Sequence, residues 1–306
     1  MSAPTLIDCD PGTDDALALL LAFGSPELDL RAITVVGGNL GLDRTLPNAR
    51  AIAGLIAAPP PVHPGADRPL LGAFTPEPLV HGADGLGGVR LPPGPAPQAE
   101  LAADAIRRHL RASPTPMTVI GLGPATNLAL ALATEPALAA RIGTLILMTG
   151  AWGEGNATPA AEFNAFNDPE ALAILLAAGA PTVLVGLELT AQALATPARL
   201  AALRARGSGR ALAVACDIQA GVPASARLGG VGAALHDPCA VAYAIRPDLF
   251  VTRAARVTVD LGPGPSRGRT VIGRWGRGGG AAVTLAETLN AEGFFALLGE
   301  RLPRLP

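Results

Sequence analysis

The chain has 306 residues, of which 49% are hydrophobic, 16% are charged and 3% are aromatic, and its formal net charge at pH 7 is −2. The near-neutral balance and the few aromatic side chains argue against a nucleic-acid partner, which requires a basic surface and rings that stack on bases. The sequence contains no lysine, which excludes a lysine nucleophile and a phosphate-loop lysine.

Short apolar runs alternate with helical patterns along the chain. The predicted strands are Thr5–Asp8, Leu30–Val36, Met117–Gly121, Thr144–Met148 and Thr182–Leu187. The predicted helices are Asp14–Phe23, Leu46–Ala57, Thr126–Ala133, Pro169–Ala178 and a helix-rich stretch over 197–218. This repeated order predicts an α/β fold with an open, mainly parallel, Rossmann-like sheet flanked by helices. A small C-terminal β/helical addition is predicted from the β-like runs Arg256–Leu261, Arg269–Ile272 and Ala281–Leu285.

The length suits one large domain or two fused ones, and we interpret residues 1–306 as a single domain. The three cysteines are widely spaced and form no Cys-x-x-Cys pair, which favours a reducing compartment over a disulfide framework. No basic segment or long apolar segment precedes the first strand, so we expect a cytoplasmic protein without a secretory signal. The uncharged stretches 117–134 and 172–187 contain Gly and Pro and predict buried elements, so no membrane contact is expected.

Small or polar residues follow four of the predicted strands. These residues are Asp8 and Asp10, then 37–39, then 123–127, then 148–150. Ligands of open parallel sheets bind beyond the carboxyl ends of the strands. The sequence therefore predicts one binding site at that edge.

Four carboxylates, those of Asp8, Asp10, Asp14 and Asp15, surround a Pro-Gly turn after the first strand. Such closely spaced acids repel each other unless a cation lies among them. Helix capping and the helix dipole would account for Asp14 and Asp15, but not for Asp8 and Asp10. Oxygen ligands without nearby Cys or His favour calcium or magnesium over zinc. We therefore predict a divalent-cation site.

A second motif, Gly155 to Asn164, lies on a loop before the helix that begins near Pro169. Glu162 and Asn164 flank Phe163 there, and no predicted helix accounts for them. This mixture of carboxylate and amide groups suits a hydroxyl-rich ligand such as a sugar.

The histidines have less distinctive surroundings. His236 and Asp237 open a helix, where Asp237 also fits an ordinary helix cap, and His236 is either structural or catalytic. His81 begins a glycine-rich loop, whose glycines allow either close approach to a ligand or simple turns. His63 and His109 have no companions and are expected at the surface.

Together these motifs resemble the signature of the inosine/uridine-preferring nucleoside hydrolase family, the nucleoside N-ribohydrolases. The resemblance is carried, in chain order, by Asp8 to Ala16, Gly38-Asn39, His81 to Gly88, Gly123 to Asn127, Met148 to Gly150, Gly155 to Asn164, Asp168 to Ala171 and His236 to Pro238. It implies hydrolysis of the N-glycosidic bond of ribonucleosides in purine or pyrimidine salvage, releasing ribose and free base. It also implies a homodimer or a homotetramer.

The resemblance further implies site roles. Calcium would be held by Asp10, Asp15, the backbone carbonyl of Thr126 and Asp237. Asp10 would take a proton from the attacking water, and His236 would protonate the departing base. The implied substrate contacts are Asp14, Asn39, Asn164 and Asp237 at the ribose hydroxyls, Asn156 and Glu162 with neighbouring Phe163 at the 5′ end, Met148 and Asn164 beside the developing positive charge, and His81 in the base pocket.

Two departures from the family pattern leave the base preference open. Thr149-Gly150 stands where the family has Gly-Gly, so we expect a narrower pocket there. The segment 224–235 lacks the tyrosine and polar residues that engage the base, and Arg227 is its one polar side chain with reach.

Two other functions stay open on the sequence alone. A haloacid-dehalogenase-like phosphatase also begins with a strand that ends in Asp-x-Asp, with Asp8 as nucleophile and Asp10 as acid and base. The missing lysine and the acidic pair Asp14-Asp15 argue against phosphate as substrate. A non-catalytic, metal-dependent sugar- or nucleoside-binding protein is the other alternative, which a loss of base activation would favour.

Overall fold

The structure, a computed structural model, describes residues 2–275 and 278–306. Its strands are β1 Ala3–Cys9, β2 Leu28–Val35, β3 Val62–Pro64, β4 Met117–Gly121, β5 Ile142–Met148, β6 Thr182–Val185, β7 Leu194–Ala195, β8 Ala233–Ala234, β9 Phe250–Val259, β10 Thr270–Gly273 and β11 Ala281–Leu289. Its α-helices are α1 Thr13–Phe23, α2 Leu42–Ala53, α3 Pro78–His81, α4 Ala102–Ala112, α5 Thr126–Thr134, α6 Phe163–Asn167, α7 Pro169–Ala177, α8 Leu187–Thr190, α9 Pro197–Arg204, α10 Arg210–Ala220, α11 His236–Ile245 and α12 Ala291–Arg301.

Nine of these strands form one sheet in the order β10-β9-β11-β6-β5-β4-β1-β2-β3. Every neighbouring pair from β3 to β11 is parallel, and β9 runs antiparallel to both β11 and β10. Strands β7 and β8 form a separate antiparallel pair. The sheet is therefore mainly parallel with one antiparallel strand near an edge.

Helices cover both faces of the sheet, because successive side chains of each strand point to opposite faces. Ile7 and Cys9 of β1 pack into a core shared with α1, α2, α10, α11 and α12. Leu6 packs into the opposite core, with α4, α5 and α7. Burial on both faces explains why the central strands read as nearly continuous apolar runs.

The predicted α/β class is confirmed, and most predicted elements differ from the observed ones only at their ends. Helix α2 begins at Leu42, four residues before the predicted start, and contains Pro47. The strand predicted to reach Leu187 ends at Val185, because Gly186 caps the short helix α8. The helix-rich stretch contains two helices, α9 and α10.

The three C-terminal β-like runs are strands that join the central sheet at one edge, with β11 paired to β6. The sequence interpretation left out β3, α4 and α12. Helix α4 nevertheless shows helical spacing in its buried residues Ala102, Ala105, Ile106 and Leu110. None of the helices in the described part of the chain combines the length and apolar character that a membrane crossing requires.

Candidate active site

A cavity of about 360 Å³ opens beyond the carboxyl ends of β1, β2, β4 and β5. Ten predicted site residues line it, namely Asp14, Asn39, His81, Met148, Asn156, Glu162, Phe163, Asn164, His236 and Asp237. The other predicted site residues, Asp10, Asp15 and Thr126, are buried. The structure therefore brings residues from seven segments of the chain together beyond the carboxyl ends of the strands, where the sequence predicted a binding site.

Three acidic side chains meet at one end of this cavity. Asp14 and Asp15 lie in the first turn of α1, and Asp237 lies in the first turn of α11, which packs against α1. One carboxylate oxygen from each of the three lies within 4.8 Å of the other two. This spacing lets three carboxylates share one cation.

Backbone and amide donors hold Asp10 and Asp15 in place beside this group. Asp15 accepts hydrogen bonds from the backbone N–H of Gly12 at 3.0 Å and of Asp10 at 3.2 Å. The backbone N–H of Asn39 donates to Asp10 Oδ2 at 2.7 Å, and Asn39 Nδ2 donates to Asp15 Oδ2 at 3.1 Å. Asp15 is thus both the capping residue of α1 and a member of the acidic cluster.

The chain approaches Asp10 so closely that two neighbouring positions have room only for glycine. A Cβ on Gly38 would lie 2.2 Å from Asp10 Oδ2, and a Cβ on Gly123 would lie 2.5 Å from Asp10 Oδ1. Both glycines lie in loops that follow strands, β2 and β4. The predicted segments 37–39 and 123–127 therefore contribute backbone that encloses the carboxylate of Asp10.

The electrostatics of the cluster favour a bound cation. Burial and, to a smaller extent, the Asp14 charge raise the pKa of Asp15 to about 6. Burial likewise raises the pKa values of Asp10 and Asp237 well above their usual range, and neighbouring acids add to both. Because the donor atoms are carboxylate oxygens, the group fits a hard divalent cation such as calcium or magnesium. The place of the Thr126 carbonyl as a ligand stays a prediction.

Asp8 does not take part in this site. It is fully buried, and its Oδ1 accepts from Thr34 Oγ1 at 2.6 Å and from Asn127 Nδ2 at 2.8 Å. Burial raises its pKa to about 7. Because its Oδ1 is taken by these two donors and its Oδ2 is sealed from solvent, Asp8 is not placed to act as the nucleophile that the dehalogenase-like alternative requires.

Two asparagine oxygens add acceptors to the cavity wall. Asn164 Nδ2 donates to the backbone oxygens of Leu122 at 2.7 Å and Met148 at 2.9 Å, and Asn39 Nδ2 donates to the backbone oxygen of Asp10 and to Asp15. Within the described residues, neither asparagine Oδ1 has a protein donor. With Asp14 and Asp237, these oxygens form an acceptor-rich wall that suits the hydroxyl groups of a sugar.

Glu162 has a structural role that the sequence interpretation missed. It caps helix α6, and its carboxylate accepts from the backbone N–H groups of Gly150, Asn164 and Ala165 and from Thr149 Oγ1, at 2.9–3.1 Å. The expectation that no helix accounts for Glu162 was therefore wrong, because the capped helix has only five residues. Thr149 points to Glu162 and is absent from the cavity lining, so the expected narrowing at this position was also wrong.

A hydrogen bond joins Asn156, in the loop before α6, to Phe163, the first residue of α6. Asn156 Oδ1 accepts from the backbone N–H of Phe163 at 2.8 Å. Both residues line the cavity, at the end that Glu162 also borders. The structure thus brings the three residues predicted for the 5′ end of the substrate together.

The two cavity histidines are held through their Nδ1 atoms. His236 Nδ1 lies 2.7 Å from Thr190 Oγ1, so Nε2 is the ring nitrogen available to a ligand. His81 Nδ1 accepts from the backbone N–H of Thr13 at 3.2 Å, so the neutral ring carries its proton on Nε2. Burial lowers the pKa of both rings, and the Asp14 charge partly opposes this in each.

The other lining residues come mainly from two segments without an assigned role. Glu77, Leu79 and Val80 precede His81, and Arg227 lies on the short 3₁₀ helix Ala226–Leu228. Gln219, in the last turn of α10, was missed entirely. Its sequence surroundings carry no motif, and only the packing of α10 against α1 brings it to the site.

Comparisons with known proteins agree with this geometry. The sequence model of the inosine-uridine preferring nucleoside hydrolases matches residues 5–296. The pyrimidine-specific ribonucleoside hydrolase RihA of Salmonella schwarzengrund is 40% identical over 307 residues, which cover 99% of each chain. Two solved structures, each 31% identical, are the plant nucleoside hydrolase PpNRh1, with a TM-score of 0.89 over 99% of each chain, and the purine-preferring ribonucleoside hydrolase from Gardnerella vaginalis, with a TM-score of 0.90 over 98%.

The fold, the cavity and these similarities define an enzyme class, the hydrolases that act on N-glycosyl bonds. The chain belongs to the inosine-uridine preferring nucleoside hydrolase family. The resemblance inferred from the ordered motifs is therefore confirmed.

Proposed function

We propose that this enzyme hydrolyses the N-glycosidic bond of ribonucleosides in a calcium-dependent reaction, with Asp10 as the base and His236 as the acid. One observation carries the proposal. A cluster of buried acids lies at one end of a cavity whose wall offers carboxylate and amide oxygens, and two histidines project into the same cavity. Such a cavity fits a polar sugar that is joined to a base.

The cation would be held by Asp10, Asp15 and Asp237, with the carbonyl of Thr126. Of these, Asp15 and Asp237 belong to the acidic cluster, whose third member is Asp14. When bound, calcium orients a water molecule and lowers its pKa. Asp10 takes the proton from the attacking water while the C1′–N bond breaks and its electron pair moves to the base. His236 then supplies the proton that neutralises the departing base.

The residues beside the sugar stabilise the positive charge that develops on the ribose ring. Asp14, Asp237 and the Oδ1 atoms of Asn39 and Asn164 bind the ribose hydroxyls and face that charge with negative or partly negative atoms. The Met148 sulfur lies 3.5 Å from Asn164 Nδ2 on the same wall. Asn156, Glu162 and Phe163 border the 5′ end.

Three further properties belong to this proposal on the strength of family membership. We propose a cytoplasmic enzyme of nucleoside salvage that assembles as a homodimer or homotetramer. The similar RihA enzyme is pyrimidine-specific and the similar Gardnerella enzyme is purine-preferring, so membership of the family does not set the base. Both kinds of base belong in the test.

The test is a panel of uridine, cytidine, inosine, adenosine and 4-nitrophenyl riboside, assayed for ribose release. Each substrate is measured after treatment with a chelator, and again after calcium or magnesium is returned. We expect at least one natural nucleoside to be cleaved, with activity lost on chelation and restored best by calcium.

Each contrary result contradicts a different part of the proposal. Full activity after chelation contradicts the cation requirement. Restoration of activity by magnesium alone contradicts the proposal that calcium is the cation. Cleavage of the nitrophenyl riboside only contradicts base activation by His236. Tight nucleoside binding without any cleavage contradicts catalysis and favours the binding-protein alternative.

A further inference from the structure

Gln219 is a buried amide that the proposed mechanism leaves without a task. Its side chain is only 4% exposed, yet it lines the cavity. Its Nε2 donates to the backbone carbonyl of Thr13 at 2.7 Å. Because a carbonyl accepts and cannot donate, this bond fixes the orientation of the amide and leaves Oε1 on the other side.

Gln219 lines the cavity, and its Oε1 atom is not sealed from solvent. Within residues 2–275 and 278–306, no donor reaches this oxygen, and it is not among the side-chain atoms sealed from solvent without a partner. A buried carbonyl oxygen without a donor costs free energy unless water or a ligand bonds to it. Gln219 therefore offers one hydrogen-bond acceptor, in a fixed orientation, to a ligand in the cavity.

His81 supplies a hydrogen-bond donor, and it is held by Thr13, the residue that also holds Gln219. Its Nδ1 accepts from the backbone N–H of Thr13, so its Nε2–H points away from α1. The backbone of one residue, Thr13, thus holds both the imidazole and the amide. His81 therefore offers a donor and Gln219 an acceptor to the same cavity, and uracil and hypoxanthine carry the complementary C=O and N–H groups.

We propose that Gln219 reads the nucleobase: its Oε1 accepts a hydrogen bond from a ring N–H of the base, beside a base carbonyl that His81 Nε2–H contacts. This inference rests on the proposed function and adds a specificity-determining residue to it. Arg227 is the one long polar side chain of segment 224–235 in the cavity lining, and Gln219 adds an amide from the last turn of α10. Its removal should weaken recognition of the base and leave the ribose contacts in place.

The test compares each nucleoside with its N-methylated form, uridine with 3-methyluridine and inosine with 1-methylinosine. In the wild-type enzyme, methylation should lower kcat/KM by about tenfold or more, because it removes the donor that Gln219 meets. In Gln219→Met and in the smaller Gln219→Ala, uridine should fall by about tenfold and the methylation penalty should disappear. The exposed Gln98 provides the control, and Gln98→Met should behave as wild type.

A substrate without a base separates recognition from folding. 4-Nitrophenyl riboside has no ring N–H, so its kcat/KM should change by less than about threefold in Gln219→Met. A parallel loss on this substrate would show that Gln219 only supports α1, and the inference would be overturned. Equal cleavage of uridine and 3-methyluridine by the wild-type enzyme would overturn it without any variant. If the wild-type enzyme cleaves no nucleoside at all, both the proposed function and this inference fail.

Discussion

Some side chains in this site have two roles each, so a substitution at one of them changes two properties of the enzyme at once. Asp15 caps α1 and belongs to the acidic cluster, so its replacement changes both helix stability and cation binding. Asn39 bonds to both Asp10 and Asp15 while it lines the cavity. Residues outside the acidic cluster give clearer answers, and His236, whose Nε2 is available to a ligand, is the best example.

The role of His236 as an acid predicts a loss that depends on the leaving group. His236→Ala should lower kcat/KM for uridine or inosine by about 10²–10⁴-fold, because these bases leave poorly without a proton. 4-Nitrophenyl riboside, whose leaving group needs no proton, should lose only a few-fold. Steady-state rates on the two substrate types provide the measurement, with His236→Gln as a variant that keeps polarity without the acid.

A similar loss on both substrate types would contradict the acid role. It would indicate that His236 positions the substrate or the neighbouring Asp237. The hydrogen bond between Thr190 Oγ1 and His236 Nδ1 would then be part of the packing at the start of α11.

At the scale of elements, α4 packs beside the edge strand β3, where the ring of His109 from α4 lies next to the ring of His63 from β3. The sequence interpretation expected His63 and His109 at the surface, which is wrong for His63, whereas His109 is half-buried. His63 of β3 is buried, its ring lies 6.5 Å from that of His109 in an edge-to-face arrangement, and the Nε2 atoms of both are sealed without a partner. Neighbouring charges come from Glu100, Arg108 and Arg31.

This contact predicts a pH-dependent stability. Burial, with a further contribution from Arg108, lowers the pKa of His109 from 6.5 to about 4. Between these values His109 binds more protons in the unfolded chain than in the folded one, so its contribution to the free energy of unfolding should be highest above pH 6.5 and should decrease as the pH falls towards 4. His109→Phe keeps an aromatic ring and should remove this part of the decrease.

Urea unfolding of the wild-type enzyme and His109→Phe at several pH values measures the effect. Parallel stability curves from pH 7 to pH 4 would contradict the assignment to His109. The comparison needs both proteins, because the buried acids of the cluster also titrate.

At the scale of the whole molecule, the acidic cluster joins α1 to α11, and like charges oppose that contact when no cation is bound. Calcium at about 100 times its Kd should stabilise the native state by about 2.7 kcal/mol, or raise the Tm by roughly 5 °C. Asp237→Asn should show a smaller calcium response and, in chelator, a Tm equal to or above that of wild type. Thermal unfolding with and without calcium tests this.

Two results would contradict this account. One is a Tm that does not respond to calcium at millimolar concentration. The other is an Asp237→Asn variant that is less stable than wild type in chelator, because removal of a like charge should relieve repulsion.

The sequence predicted the parts of this molecule that depend on local pattern. Apolar strands followed by helices predicted the sheet, and polar residues after four strands predicted the edge at which the cavity lies. Strand β3 has only three residues, too few to show an alternation of apolar and polar side chains. One of the three is a proline, which does not predict a strand. Helix α4 was missed although its apolar residues follow helical spacing.

Other features depend on tertiary placement that no local pattern records. The direction of Thr149 depends on the position of Glu162, and the capping role of Glu162 depends on a five-residue helix. Gln219 reaches the cavity because the last turn of α10 packs against α1, more than 200 residues away in sequence. Such residues become candidates only when the fold is known.

The first turn of α1 contains Thr13 beside Asp14 and Asp15. Thr13 supports the two side chains assigned to the base, and the aspartates belong to the group assigned to the cation and ribose. A single helical turn thus fixes the spacing between the two ends of a bound nucleoside. A movement of this turn would therefore shift the contacts assigned to the sugar and those assigned to the base together.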